Sequence, residues 1–132
     1  MSDTQPVPPQ QVHWIDMIVR DPDTVSRFYT DVIGLKRVAV LEDNTHTSYA
    51  LQDATGKDIL GICDEAMFSN WPGGWVPYIA VPDFDQSVSK VVQSGGQIVK
   101  QLRMDFNWKG QRFCLARDPS GAPVMLCEAK PK

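Results

Sequence analysis

Residues 19–35, VRDPDTVSRFYTDVIGL, decide the fold, because they encode a complete helix together with its start and stop signals. Asp21 is a suitable N-cap, and Pro22 then takes the first helical position, where its missing N–H costs nothing. Gly34 is a typical residue for ending a helix. The apolar residues of this stretch recur at i, i+3, i+4 and i+7: Val25, Phe28, Tyr29 and Val32. This spacing predicts a helix with one apolar face.

Strand-like segments lie on both sides of this helix. WIDMIV (14–19) precedes it, and KRVAVLE (36–42), HTSYALQ (46–52) and KDILGIC (57–63) follow it. The turn DATG (53–56) separates the last two segments. The first half of the chain therefore predicts the order βαβββ.

The same order recurs in the second half. VPDFDQSVSKVVQSGG (81–96) again gives a strand end, an Asp, a helix and a Gly, and superposing Val19 on Val81 places Asp21 on Asp83. Three strand-like segments follow once more, and the turn DPSG (118–121) echoes DATG. A repeated pattern of this kind indicates an internal duplication, with two units of about 60 residues each.

We therefore predict an α+β fold in which two tandem βαβββ units form a curved mixed sheet around a central cavity. Unit one covers about residues 11–66 and unit two about residues 72–130, within a single domain of residues 11–132. Residues 1–10 are polar and rich in proline, so we expect a flexible N-terminal arm.

Composition excludes several classes of partner. The chain is 42% hydrophobic and 22% charged, which is typical of a folded domain. A net charge of −3 without a block of Lys or Arg argues against nucleic acid and membrane surfaces as partners. No apolar run is long enough to span a membrane, and the polar N-terminus is unlike a signal peptide. The three cysteines lack paired spacing, so reduced thiols in a cytoplasmic protein are expected.

The tandem pattern, the two helix stretches and DPSGAPVMLCE (118–128) together resemble the vicinal oxygen chelate superfamily. That group includes glyoxalase I, extradiol dioxygenases and bleomycin-resistance proteins, and the resemblance covers roughly residues 11–130. It implies the fold and is weak evidence for any one activity. In the metal-using members, several N or O ligands come from the first and last strands of each unit, as a divalent cation requires.

The resemblance also implies where those ligands would fall in this chain. The first position falls on Trp14 rather than on His13. The implied set is Trp14, Val76, Met125 and Gly61, with Leu60 in place of Gly61 if the register differs by one. These side chains cannot form a metal site. The resemblance is therefore to a metal-free branch of the superfamily, and no metal ligand and no cofactor is expected.

Strand alternation gives an independent argument about His13. Alternate residues of a strand share a face, so Ile15, Met17 and Val19 form a suitable helix-covered face. If His13 pointed into the cavity, Asp16 would be buried under the helix at a cost of several kcal/mol. His13 is therefore expected on the helix side or at the surface, and not as a metal ligand.

The same alternation predicts which residues face the cavity. They are Trp14, Asp16, Ile18, Gly61, Cys63, Val76, Tyr78, Ala80, Met125 and Cys127. Such a mixture of apolar and aromatic side chains with a few polar groups is typical of a small-molecule site. Asp16 and Tyr78 hold equivalent positions in the two units and are the candidate catalytic pair. They could orient a ligand, or they could form a buried Asp–Tyr hydrogen bond that only closes the core.

Two loops add aromatic residues. MFSNWPGGW (67–75) and MDFNWKG (104–110) contain Trp71 and Trp108, which we predict at the rim of the ligand site. Trp75 is expected to pack under the second helix. Cys63 and Cys127 have no His at an identifiable spacing, so they are expected to act as small apolar residues rather than nucleophiles.

The sequence favours a metal-free protein that binds a small, partly aromatic molecule, as bleomycin-resistance proteins do, and that forms a homodimer. The first alternative is a lyase or isomerase of the same superfamily with Asp16 as base and Tyr78 as acid. The others are a metalloenzyme with displaced ligands, and an interaction module whose cavity is filled by its own side chains.

Overall fold

The computed structural model describes residues 10–41, 47–68, 74–104 and 111–129. This part of the chain forms eight strands, two α-helices and one short 3₁₀ helix. In chain order they are β1 (Val12–Val19), α1 (Pro22–Ile33), β2 (Lys36–Leu41), β3 (Thr47–Gln52), β4 (Asp58–Asp64), the 3₁₀ helix (Glu65–Phe68), β5 (Gly74–Val81), α2 (Phe84–Gln93), β6 (Gln97–Met104), β7 (Gln111–Arg117) and β8 (Pro123–Glu128). The predicted α+β class and the repeated βαβββ order are both confirmed.

The chain divides into two compact units. The N-terminal unit is Trp14–Val76, and the C-terminal unit contains residues 10–13 and the described residues from Pro77 onward. In the N-terminal unit the strand order is β2-β3-β4-β1, and only β1 and β4 are parallel. In the C-terminal unit the order is β5-β8-β7-β6, and only β5 and β8 are parallel. The two units therefore share one topology, as a duplication requires.

Both helices begin with the predicted caps. The Asp21 side chain accepts a hydrogen bond from the backbone N–H of Thr24, and Asp83 does the same for Gln86. At the end of α1, Gly34 adopts a left-handed conformation with φ of 87°, which glycine tolerates without strain. Neither helix is long and apolar enough to span a membrane.

The core of the N-terminal unit lies between α1 and its strands. Its buried residues, with the half-buried residues packed against them, are Met17, Leu51, Leu60, Ile62, Ile15, Val19, Val25, Tyr29, Leu35 and Tyr49. The predicted helix-covered face of β1 is therefore confirmed. The apolar face of α1 is only partly used here, because Phe28 and Val32 are 56% and 63% exposed.

A β-bulge in the β3–β4 hairpin determines the register of β4. Leu51 pairs with Leu60 but Gln52 pairs with Asp58, so Ile59 is an extra residue in this hairpin. The β7–β8 hairpin has no extra residue. A position of β4 therefore lies one residue farther from its turn than the equivalent position of β8 lies from the β7–β8 turn. Leu60 therefore points into the helix-covered core, and Gly61 is the residue on the opposite face.

Candidate functional site

Asp16 is a buried carboxylate with a defined partner. Its side chain is on β1 and the residue is 7% exposed. The indole Nε1–H of Trp14 donates a hydrogen bond to Asp16 Oδ1 over 2.7 Å. The two residues are two positions apart on one strand, so they share a face.

Gly61 lies directly against this pair. It is the partner of Asp16 in the parallel β1–β4 register. A Cβ at position 61 would lie 2.3 Å from Asp16 Oδ1 and 3.3 Å from the Trp14 ring. A glycine is required here because the carboxylate occupies the space that any side chain would need.

The next pair in the same register is Ile18 with Cys63, of which Ile18 is buried and Cys63 is half-buried. The five residues Trp14, Asp16, Ile18, Gly61 and Cys63 are called the Trp14 face below. It presents an indole, a carboxylate, a thiol and an aliphatic side chain. This combination is suited to contact a small molecule through apolar surface and one strong acceptor.

The residues at the implied metal-ligand positions do not fit a divalent metal. Trp14 offers a donor N–H where a ligand needs a lone pair, and Gly61 has no side chain. Val76 is aliphatic and Met125 is a thioether, a soft ligand unsuited to most divalent sites. Among the residues that the structure describes, no group of three or more His, Cys, Asp or Glu side chains is placed to hold a metal ion.

In the C-terminal unit, Tyr78 lies on a closely packed face. The β5–β8 register pairs Tyr78 with Met125 and Ala80 with Cys127, so these side chains share a face as alternation predicts. All four residues are buried. The Sγ of Cys127 donates to the backbone oxygen of Met125 at 3.6 Å, so this thiol acts as a packed core group.

Phe113 was missed by the sequence analysis. It is opposite Cys127 in the β7–β8 register, is fully buried, and meets the Tyr78 ring edge-to-face with centroids 5.8 Å apart. Alternation along QRFCLAR (111–117) was the available signal, since Phe113 and Leu115 share a face.

His13 lies at the start of β1, as the strand pattern predicts. It is half-buried, and its ring lies edge-on to Tyr78 with centroids 6.4 Å apart. Burial lowers the pKa of His13, and a backbone hydrogen bond involving Gln11 partly offsets that effect. The imidazole is therefore favoured in its neutral form and packs as an aromatic ring.

Trp75 differs from the prediction. Its ring meets Tyr29 of α1 edge-to-face at 5.8 Å, so it packs beside the first helix, whereas the second helix was expected. The predicted rim residues Trp71 and Trp108 lie outside the described residues. The pairing of Asp16 with Tyr78 stays a prediction.

A charged cleft of about 290 Å³ lies in the C-terminal unit. Arg112 donates to Asp85 over 2.9 Å and to Glu128 over 2.9 Å, and stacks 4.7 Å from the Phe84 ring. Its hydrogen bonds to Asp85 and then to Glu128 raise the pKa of Arg112. These charged groups form ion pairs with one another at the surface. The contacts of Arg112 with Phe84 and Asp85 hold the start of α2 in place.

Comparison with known proteins agrees with this fold. The family model for the Glyoxalase/Bleomycin resistance protein/Dioxygenase superfamily matches residues 11–126, and the chain belongs to this superfamily. Members of the superfamily bind small molecules and often form dimers. The chain is 29% identical over 119 residues to CFP32 of Mycobacterium bovis, a protein named as a glyoxylase. The match covers 90% of this chain and 44% of CFP32, so the chain spans less than half the length of that relative.

Solved structures show the same fold at low identity. A hypothetical protein from Bacillus halodurans superposes with a TM-score of 0.59 and 17% identity, covering 92% of this chain and 96% of that one. Methylmalonyl-CoA epimerase from Mycobacterium tuberculosis superposes with a TM-score of 0.55 and 19% identity, covering 99% of this chain and 94% of that one. At these identities the likeness concerns the fold alone.

Proposed function

We propose that this protein binds a small, partly aromatic molecule on the Trp14 face and does so without a divalent metal. The observation that carries the proposal is the 2.7 Å hydrogen bond from Trp14 to Asp16, made directly against Gly61. At two of the positions that the superfamily resemblance implies for metal ligands, this chain has an indole and a glycine.

The chemistry of the face suggests the kind of ligand. The indole of Trp14 provides a flat apolar surface, on which an aromatic ring gains offset-stacking or edge contacts. The carboxylate of Asp16 is a strong acceptor, so a ligand with an N–H or O–H donor next to its ring matches it best. Binding without reaction, as in the bleomycin-resistance type of the superfamily, needs no further group.

Elemental analysis of the purified protein tests the metal-free part. We expect no stoichiometric Zn, Fe, Mn or Ni, because the implied ligand positions supply too few donors. About one metal per chain, retained through a mild chelator, would overturn this part and favour a metalloenzyme with displaced ligands.

A second candidate function is proton transfer in an isomerase or lyase. It is favoured by the burial of Asp16 in a fold shared with methylmalonyl-CoA epimerases. A buried carboxylate is a suitable general base for a proton next to a thioester carbonyl, and Tyr78 is the predicted acid.

Deuterium exchange distinguishes the two candidates. Methylmalonyl-CoA in D₂O is followed by proton NMR with the wild type and with Asp16→Asn. Exchange that the wild type catalyses and Asp16→Asn loses would favour the enzyme. An exchange rate equal to that of the blank removes this candidate for acyl-CoA thioesters. Exchange that needs an added divalent ion would support a metalloenzyme.

A further inference from the structure

We propose that the outward stripe of α1, formed by Arg27, Phe28, Asp31 and Val32, pairs antiparallel with the same stripe of a second copy. This interface is independent of the proposed ligand site. It lies on α1, whereas the Trp14 face is on the side of β1 and β4 away from that helix.

The stripe is part of a continuous apolar surface. Phe28 and Val32 are 56% and 63% exposed, one helical turn apart. The Phe28 ring meets Tyr29 edge-to-face at 5.0 Å, and Tyr29 in turn meets Trp75, which is 40% exposed, at 5.8 Å. Adjacent large apolar side chains at a surface typically mark an interaction site.

The exposed apolar residues of α1 are not needed to cover the core of the unit. α1 already covers its own sheet with Val25 and Tyr29, and its Ser26 is fully buried. Phe28 and Val32 therefore give the helix a second apolar face that is more than half exposed among the described residues.

Charge complementarity points to a second copy as the occupant. At 100° per residue, Arg27 and Asp31 border Phe28 and Val32 along the same edge. An antiparallel copy related by a twofold axis near residues 29 and 30 brings Arg27 beside Asp31 of the partner subunit. The same operation packs Phe28 against Val32 of the partner subunit, and each contact occurs twice.

The existing contacts of Arg27 are compatible with this arrangement. Arg27 forms an ion pair with Asp23 of its own helix at 3.2 Å, and its side chain is 66% exposed. A guanidinium has five N–H donors, which is enough to engage a second carboxylate.

The size of the surface sets the expected affinity. A 12-residue helix is about 18 Å long, so a helix pair buries less area than a standard interface. Trp75 extends the contact beyond the helix. We therefore expect a dimer with a dissociation constant in the micromolar range.

The first test uses two valines of equal exposure. Val32 on α1 is 63% exposed and Val92 on α2 is 65% exposed. Sedimentation over a concentration series should give a dimer for the wild type and Val92→Glu, and a monomer for Val32→Glu. A wild type that stays monomeric at high micromolar concentration would overturn the proposal, as would equal dissociation constants for the two variants.

Charge reversal tests the orientation of the pair. Arg27→Glu alone and Asp31→Lys alone each place like charges together across the twofold axis, so each should raise the dissociation constant by on the order of tenfold. The double variant restores opposite charges and should recover most of the affinity. Circular dichroism shows whether each variant keeps its helices, and Val92→Glu is the reference. Failure of the double variant to recover, with its helices intact, would exclude this antiparallel arrangement.

Discussion

Trp14 and Asp16 lie two residues apart on β1, and the indole N–H of Trp14 donates to Asp16 Oδ1 over 2.7 Å. The pair fills the space above Gly61, where a side chain from β4 would otherwise project. The hydrogen bond thus joins the residue at an implied metal-ligand position to the buried carboxylate, and both side chains lie against the glycine of the neighbouring strand. This arrangement supports the proposal that the Trp14 face recognises a ligand without a metal.

Replacement of Gly61 by Ala tests how closely these groups approach. The new Cβ would lie 2.3 Å from Asp16 Oδ1, so the carboxylate must move and its hydrogen bond to Trp14 must weaken. We expect a loss of about 1–3 kcal/mol in the free energy of unfolding, as in other overpacked sites. Urea denaturation measures this loss.

The matched control for Gly61→Ala also removes the Asp16 side chain, which the new Cβ would contact. In a Gly61→Ala/Asp16→Ala variant the clash with the carboxylate is absent, so the two losses should be clearly less than additive. Strictly additive losses would mean that Asp16 does not lie against Gly61 in solution.

Asp16 and Tyr78 are tested together, since their pairing is predicted from the duplication. If they orient a ligand, Asp16→Asn should keep the fold and weaken binding by about 1.5–3 kcal/mol, because the amide keeps the shape and loses the charge. If they only close the core, the melting temperature should fall and affinity should stay. Tyr78→Phe should behave in the same way as Asp16→Asn.

The double variant decides whether these two residues touch. Contacting residues couple, so the Asp16→Asn/Tyr78→Phe cycle should be non-additive in melting temperature, in affinity, or in both. Additive effects would show that the superposition of Val19 on Val81 pairs the wrong residues.

Local signals predicted the fold well, because each helix has an Asp cap and each hairpin before the last strand of a unit has an Asp turn. Asp53 and Asp118 each accept hydrogen bonds from the residues that follow them, which fixes both turns. Such signals are read within a few residues of the chain.

Features that depend on partners distant in sequence were less predictable. The bulge at Ile59 shifts β4 by one residue, and nothing in KDILGIC shows it, so Gly61 and Leu60 stayed alternatives. Helical spacing placed Phe28 and Val32 with Val25, but only Val25 packs against the core and the other two are more than half exposed. The contact of His13 with Tyr78 joins residues far apart in the chain.

His13 makes a prediction about pH. Burial lowers its pKa in the folded protein below the ordinary value of 6.5. Below that value the unfolded chain binds more protons than the folded chain, so stability is complete above about pH 6.5 and is lost as the pH falls toward the folded pKa. We expect the urea concentration at the unfolding midpoint to decrease when the pH is lowered from about 7.5 to about 5.5. The decrease should be smaller in His13→Gln.

The other histidine of the chain provides the control. His46→Gln should keep the pH dependence of the wild type, since the effect is assigned to His13 alone. An undiminished fall in His13→Gln would mean that His13 is not the titrating group.

The indole N–H of Trp14 gives the most direct test of metal-free binding on this face. The four tryptophans give four indole cross-peaks in a ¹⁵N–¹H spectrum, and the one missing in Trp14→Phe belongs to Trp14. A panel of aromatic amides and phenols is titrated in the presence of EDTA. The account predicts a saturable shift of the Trp14 peak for at least one compound, weakened in Asp16→Asn. It is contradicted if no compound shifts that peak saturably, or if the shift occurs only after a divalent metal replaces the chelator.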